Sequence, residues 1–213
     1  MHQEEKKGKC HLICFFLLSF TTLLLGIICL CLSVWIHYCW WDIGLTQAKN
    51  TSQIIHFDGE KTISEAHEDA CGQLKDLVER SCPNACEYLD HFKSAGKVMI
   101  IFGSLSLIIL FWCCLVVLIR LCKIRISGKF LIPVPGSFAL WLIGFCAYAG
   151  TAGLGRLDSP NNKAEYNFTA DEYKIKVGVA IGITTIFMQF FVGIYGWVKI
   201  RPLLNILKEK TLI

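Results

Sequence analysis

The side chains able to do covalent or coordination chemistry gather between Trp40 and Lys97. This stretch holds Cys71, Cys82 and Cys86, with Cys39 just ahead of it, and also His56, Asp58, His67, Glu68, Asp69 and His91. Cysteines serve as disulfide halves, thiolate nucleophiles or metal ligands; histidines and carboxylates serve as ligands or acid–base groups. Spacing decides among these roles. Cys82-x-x-x-Cys86 has no second His or Cys pair nearby to complete four zinc ligands, so no metal is expected. The chain lacks H-E-x-x-H, a nucleophile elbow and a phosphate-cradling glycine loop. The expectation is a protein that is not an enzyme and has no cofactor, its loop histidines solvated.

Two sequons, Asn50-Thr51-Ser52 and Asn167-Phe168-Thr169, read as glycosylation acceptors and put their segments in the secretory lumen. In that oxidising compartment the four cysteines Cys39, Cys71, Cys82 and Cys86 are expected to form two disulfides, in any of three pairings. If Cys71 and Cys82 shared one straight helix their α-carbons would stand about 16 Å apart, beyond a bridge's reach of roughly 7 Å. The helix must break, or they are not partners.

What positions this stretch is a set of uncharged runs. Asp, Glu, Lys and Arg are missing from Cys10 to Trp41, Val98 to Ile119, Phe130 to Gly155 and Val177 to Val198. A run of 22 residues makes a helix of about 33 Å, enough to cross a hydrocarbon core of about 30 Å. Backbone polar groups must be paired in lipid, and unbroken apolar runs do not alternate as barrel strands do. The sequence therefore predicts an all-α membrane protein, a four-transmembrane-helix bundle with a large disulfide-containing first extracellular loop. Its parts are a tail at 1–10, spans at 11–37, 98–119, 130–153 and 177–198, an outer loop at 38–97, an inner turn at 120–129, a second outer loop at 154–176 and a tail at 199–213.

Charge sets the orientation. The tails and the turn carry eleven basic residues against three acidic ones, whereas the two outer loops carry ten basic and fourteen acidic. Cytoplasmic segments are enriched in Lys and Arg, so both termini are expected in the cytoplasm and the protein in the plasma membrane. Both sequons then fall outside, which agrees with the charge rule. The first span follows a basic tail without a cleavage site and reads as an uncleaved signal anchor, with Trp35, His37, Tyr38, Trp40 and Trp41 as an outer aromatic belt.

Local signals refine the outline. Thr62-Ile63-Ser64-Glu65 has the spacing of a capping box, and Ile63, Ala66, Ala70, Leu74, Leu77 and Val78 form a helical stripe after it, so the first loop reads as helical. Pro83 stops or restarts that helix. Gly144, Gly150 and Gly153 in the third span, and Gly178 and Gly182 in the fourth, are expected to be helix-packing positions, as small residues let helices approach closely. Cys10, Cys14 and Cys122 lie at the inner ends of spans and are candidates for palmitoylation, with free thiols the alternative. Thr184, Thr185 and Gln189 are a polar cluster at membrane depth, expected to hydrogen-bond between helices. No basic patch interleaved with aromatics points to nucleic acid.

The layout resembles the claudin, peripheral myelin protein and calcium-channel γ-subunit superfamily of tetraspan proteins. Both ends are cytoplasmic, the first outer loop is large and holds cysteines, the inner turn is short and the second outer loop has no cysteine. Cys71 and Cys82 have a spacing similar to that superfamily's loop disulfide, and Trp35, Trp40 or Trp41 matches its early tryptophan. Tetraspanins, with their cysteine-rich loop second, and connexin-like channels, with cysteines in both loops, fit less well. The resemblance implies a β-sheet in the first loop, against the helical reading of the loop's own residues. It also implies action through that loop, in cell–cell or junctional contact or as an accessory subunit. The expected partners are the lipid bilayer and other membrane proteins in cis or in trans, with a homo-oligomer as a further option. The alternative function is a subunit of an oligomeric channel or transporter.

Overall fold

A computed structural model describes residues 2–38, 41–50, 60–72, 75–76, 85–122, 124, 126–153 and 173–209. The molecule is mostly helical. Its helices are α1 (His2–Cys31), α2 (Ile63–Cys71), α3 (Ala85–Leu121), α4 (Val134–Thr151), α5 (Val177–Tyr195) and α6 (Arg201–Glu209), with a π-helical turn, Gly196–Ile200, joining the last two. Among the described residues four segments are long and apolar enough to cross a membrane: Gly8–Cys31, Ala85–Leu121, Gly128–Thr151 and Val177–Ile206. Where side chains point settles what solvent they meet. Ile108, Phe187, Leu17 and Phe191 are 57–62 % exposed, whereas Ser19, Thr22, Ser106, Ser137, Thr185 and Gln189 are fully buried. A surface covered in large apolar groups, with hydroxyl and amide side chains kept inside, suits lipid and not water. The chain is a multi-pass membrane protein in contact with lipid.

Helix ends follow local chemistry. Pro135 stands in the first turn of α4, where a missing N–H leaves no bond unmade, and Pro133 lies before the helix, so neither kinks it. At 37 residues, α3 is about 55 Å long, well beyond the hydrocarbon thickness of ~30 Å. Its first turns carry Glu87, Asp90, Lys93 and Lys97, so this charged end projects past the apolar part.

The chain forms two compact units. One comprises residues 1–28, 102–142 and 183–213. Its core is apolar, built on Leu12, Phe15, Leu110, Leu131, Val192 and Leu204. A 3-10 turn, Gly128–Leu131, precedes α4 and rests on α6, where the Gly128 amide donates to Asn205 Oδ1 at 3.0 Å. A Cβ at Gly128 would lie 2.5 Å from the Arg201 carbonyl oxygen, so only glycine fits this contact.

The other unit comprises residues 29–101 and 143–182 and contains a five-stranded antiparallel sheet in the order β4-β3-β2-β1-β5. Its strands are β1 (Ile36–Tyr38), β2 (Trp41–Ile43), β3 (Gln47–Asn50), β4 (Glu60–Thr62) and β5 (Tyr173–Ile175). The protein is therefore not all-α, and the first loop is not simply helical. The cause lies in a period of two: Ile36 and Tyr38 are buried around a half-buried His37, and Trp41 and Ile43 around a half-buried Asp42. These triplets are too short to stand out beside a long apolar run, yet paired with neighbours they make a half-buried sheet. Helix and sheet coexist. Thr62 ends β4 and caps α2, with the Glu65 amide donating to Thr62 Oγ1 at 3.3 Å and the Thr62 amide to Glu65 Oε2 at 3.0 Å, the reciprocal bonds of a capping box.

Candidate functional site: a charged sheet face above a buried tryptophan

The sheet is assembled around Trp35. Its amide donates to the Ile43 carbonyl at 2.7 Å and its carbonyl accepts from Lys176 at 3.0 Å, so the residue ties the β1–β2 hairpin to the segment entering α5. Its indole is fully buried and donates from Nε1 to the Cys29 carbonyl at 3.0 Å. The Tyr148 ring meets it edge-on at 4.9 Å between centroids. Gly178 supplies the remaining wall, for a Cβ there would lie 2.5 Å from Trp35 Cδ1. The Gly178 amide also donates to the Val34 carbonyl at 3.2 Å. The expected aromatic belt is thus corrected for three of its members: Trp35, Tyr38 and Trp41 are 0–3 % exposed and form a packed floor, not a lipid-facing ring. Trp40 lies outside the described residues.

The first turns of α3 complete that floor. Tyr38 stacks near Tyr88 at 5.2 Å and near Phe92 at 5.9 Å, and Leu89 and Phe92 are fully buried. Gly96 brings α3 against the β2–β3 turn so closely that any Cβ would collide with the Leu45 carbonyl.

The opposite side of the strands carries charge. Register pairs Lys174 with His37, His37 with Asp42, Asp42 with Lys49 and Lys49 with Glu60, a single row across all five strands. His37 Nδ1 and Asp42 Oδ1 are 2.7 Å apart, with the two side chains 19 % and 22 % exposed. Lys49 is exposed. Opposite charges directly across an antiparallel pair stabilise it by a few tenths of a kcal/mol up to about 1. His37, Asp42 and Lys49 are thus register neighbours on three adjacent strands. At the edge, Lys61 Nζ donates to Asp69 Oδ2 at 2.6 Å, pinning β4 to α2. Glu65 is held below the ordinary carboxylate value of 4.5, chiefly because the Thr62 backbone amide donates to it and then because the Thr62 hydroxyl does.

The residues singled out for chemistry do not converge. His67 and Glu68 line a shallow cleft with Cys71 and Lys93, Asp69 is engaged by Lys61, and His91 faces the Tyr88 ring at 6.3 Å. His56 and Asp58 lie outside the described residues. Among the described residues no group of three or more His, Cys, Asp or Glu is placed to hold a metal ion. The row through His37 and Asp42 was not among the residues picked from the sequence. Its signal is the polar residue at the centre of each apolar triplet.

Cys71 bonds to Cys86, with α-carbons 5.6 Å apart, and joins the end of α2 to the first turn of α3. The pairing of Cys71 with Cys82 suggested by family spacing is therefore corrected: α2 ends at Cys71 and α3 begins at Ala85, which brings Cys86 to Cys71. Cys39 and Cys82 lie outside the described residues, as does Asn167. Asn50 ends β3 opposite Trp41.

The glycines divide. Gly178 and Gly182 seat Trp35 and Phe145, a Cβ at Gly182 lying 2.8 Å from Phe145 Cε2. Gly144 is buried. Gly150 faces open space, and Gly153 has a φ of 68°, so it ends α4 in the left-handed region and is not a packing position. Cys10, Cys14 and Cys122 are free and exposed.

In the unit that holds the chain ends, Gln189 of α5 meets Ser106 of α3, which meets α4. Ser106 Oγ lies 2.8 Å from the Ser137 carbonyl and 3.0 Å from Gln189 Oε1. One hydroxyl proton cannot serve both oxygens. With that proton on the Ser137 carbonyl, the Gln189 side chain turned by half a revolution donates its amide to Ser106 and completes the chain.

No protein-family model matches this sequence, and no curated protein matches it.

Proposed function

We propose that this chain is a non-enzymatic tetraspan glycoprotein of the plasma membrane that works by binding other membrane proteins through the surface its two loops build. The observation that carries the reading is the sheet itself. Four strands between Ile36 and Thr62 and one at Tyr173–Ile175 form a single sheet, backed by buried aromatics, and a disulfide joins α2 to α3. A surface so braced loses little freedom when a partner docks, which favours recognition. A β-sheet in this position is also what the claudin-like resemblance implies. Basic residues concentrated in the tails and the short turn support cytoplasmic termini, and the sequons support a lumenal or extracellular sheet.

The test has two arms. Partners are cross-linked on native membranes and captured with the wild type and with Lys49→Glu, which reverses an exposed charge in the central row. A binding surface predicts partners lost from the variant at unchanged surface expression. The second arm reconstitutes the purified chain in bilayers. Reproducible conductance or solute flux without a partner would replace this reading with the channel or transporter alternative.

A further inference from the structure

A groove of about 590 Å³ runs along the unit that holds the chain ends, with Cys14 and Leu18 of α1 on one side and Met188, Phe191, Tyr195 and Val198 on the other. Lys199 stands at its end and is the charged residue that lines it. From Met188 to Lys199 the helix rises about 16 Å, half of a hydrocarbon core of about 30 Å. The groove therefore has the length of one leaflet's acyl layer. With Lys199 at the headgroups, a groove of this length would reach the bilayer midplane at Met188.

The polar end has the marks of an interface. Trp197 is 43 % exposed with the Arg201 guanidinium 4.0 Å over its ring, and His11 Nδ1 lies 2.7 Å from the Tyr195 hydroxyl. Aromatic and basic side chains of this kind settle at headgroup level. Phe15 packs on Gly196, where a Cβ would come within 3.0 Å of its ring, so α1 and the π turn meet beside the groove. Charge selects the occupant: the residues of this unit include eleven Lys and Arg against three Glu.

We propose that the groove is a binding site for an anionic phospholipid, with one acyl chain laid from Met188 to Val198 and the phosphate held at Lys199. The inference does not rest on the function proposed above. A zwitterionic lipid would bring a phosphate too, but its own headgroup cation would be repelled by Lys199 and the other basic residues of this unit, so net attraction favours the anionic headgroup.

The experiment is native mass spectrometry of the full chain in mild detergent, titrated with dioleoylphosphatidylglycerol and, separately, with dioleoylphosphatidylcholine. The phosphatidylglycerol adduct should be retained in preference. Lys199→Gln should weaken it about fivefold, because one basic residue near anionic lipid is worth about 1 kcal/mol, while Lys199→Arg keeps it. Lys129→Gln, an exposed cation that does not line the groove, should change nothing. Met188→Trp should weaken both lipids by filling the groove. Equal retention of the two lipids by the wild type would overturn the proposal, and so would equal losses in Lys199→Gln and Lys129→Gln, since diffuse charge would then explain the binding. A hydroxylamine-labile acyl group on Cys14, with Cys14→Ser newly admitting phosphatidylglycerol, would also overturn it, because the groove would then belong to the chain's own thioester.

Discussion

Gly178→Ala tests whether Trp35 is the post on which the sheet stands. The added methyl lands 2.5 Å from Trp35 Cδ1, 2.6 Å from Cγ and 2.9 Å from Nε1, inside contact distance of the whole five-membered ring. The ring has little room to yield. Its backbone is held on both sides, at 2.7 Å to Ile43 and 3.0 Å from Lys176, its Nε1 is bonded to the Cys29 carbonyl, and Tyr148 stands edge-on behind it. Overpacking of a fixed core costs about 1–3 kcal/mol, and a lost indole hydrogen bond adds about 1 kcal/mol. Exchanging glycine for alanine inside a helix returns at most about 1 kcal/mol. The net expectation is a loss of about 1–3 kcal/mol. Two companions grade the series. At Gly182 the methyl would lie 2.8 Å from Phe145 Cε2, and Phe145 is only half-buried, so it can turn aside and the loss should be smaller. At Gly150, in the last turn of α4, nothing lies within 4 Å, so alanine should gain up to about 1 kcal/mol. Thermal unfolding in detergent, read by indole fluorescence, should rank Gly150→Ala at or above the wild type, then Gly182→Ala, then Gly178→Ala. Adding Trp35→Phe to Gly178→Ala should recover part of the loss, as expected for residues in contact. A Gly178→Ala protein as stable as Gly150→Ala would refute the argument.

Replacing Cys71 and Cys86 together by Ser should release a loop closed over a separation of 15 residues, worth about 3 kcal/mol in the chain-entropy model, and should raise protease sensitivity between α2 and α3 while the spans stay inserted. Ser106→Ala should lower stability in detergent by about 0.6–2 kcal/mol by stranding Gln189, and the double variant with Gln189→Leu should regain much of it; a double variant whose loss equals or exceeds the sum of the two single losses would mean the chain of bonds is absent. Because Glu65 has its pKa lowered by folding, its cap is complete above the unfolded value of 4.5 and is lost as pH falls through the lower folded value. The protection factors of the amides at the start of α2, taken relative to the intrinsic exchange rate at each pH, should therefore fall at acidic pH in the wild type, and Glu65→Ala should show the lower protection already at neutral pH. Endoglycosidase should shift the wild-type mobility, with Asn50→Gln and Asn167→Gln each removing part of the shift, and a terminal tag accessible on intact cells would overturn the orientation proposed for the chain.

What the sequence settled by itself was that four stretches could each cross a membrane as one helix, though not where the first one ends, since the uncharged run to Trp41 leaves the helix at Cys31 and goes on into β1. Uncharged runs marked the four apolar helices because a span is a local property: each must satisfy its own backbone bonds and present apolar side chains to lipid. The cap at Thr62 and Glu65 was legible for the same reason, since both partners sit within one turn. What only the tertiary structure decided was what required residues far apart to meet. Strands of three or four residues bear no stable signal alone, and β5 joins β1 across more than 130 residues, so the sheet and its charged row exist only when both loops are assembled. Trp35 read as an interfacial tryptophan because its neighbours in sequence are aromatic; its burial depends on Gly178 and Tyr148, on two other helices. The partner of Cys71 likewise turned on where one helix stopped and the next began. Cysteine spacing measures the chain between two sulfurs, whereas a disulfide needs their positions in space.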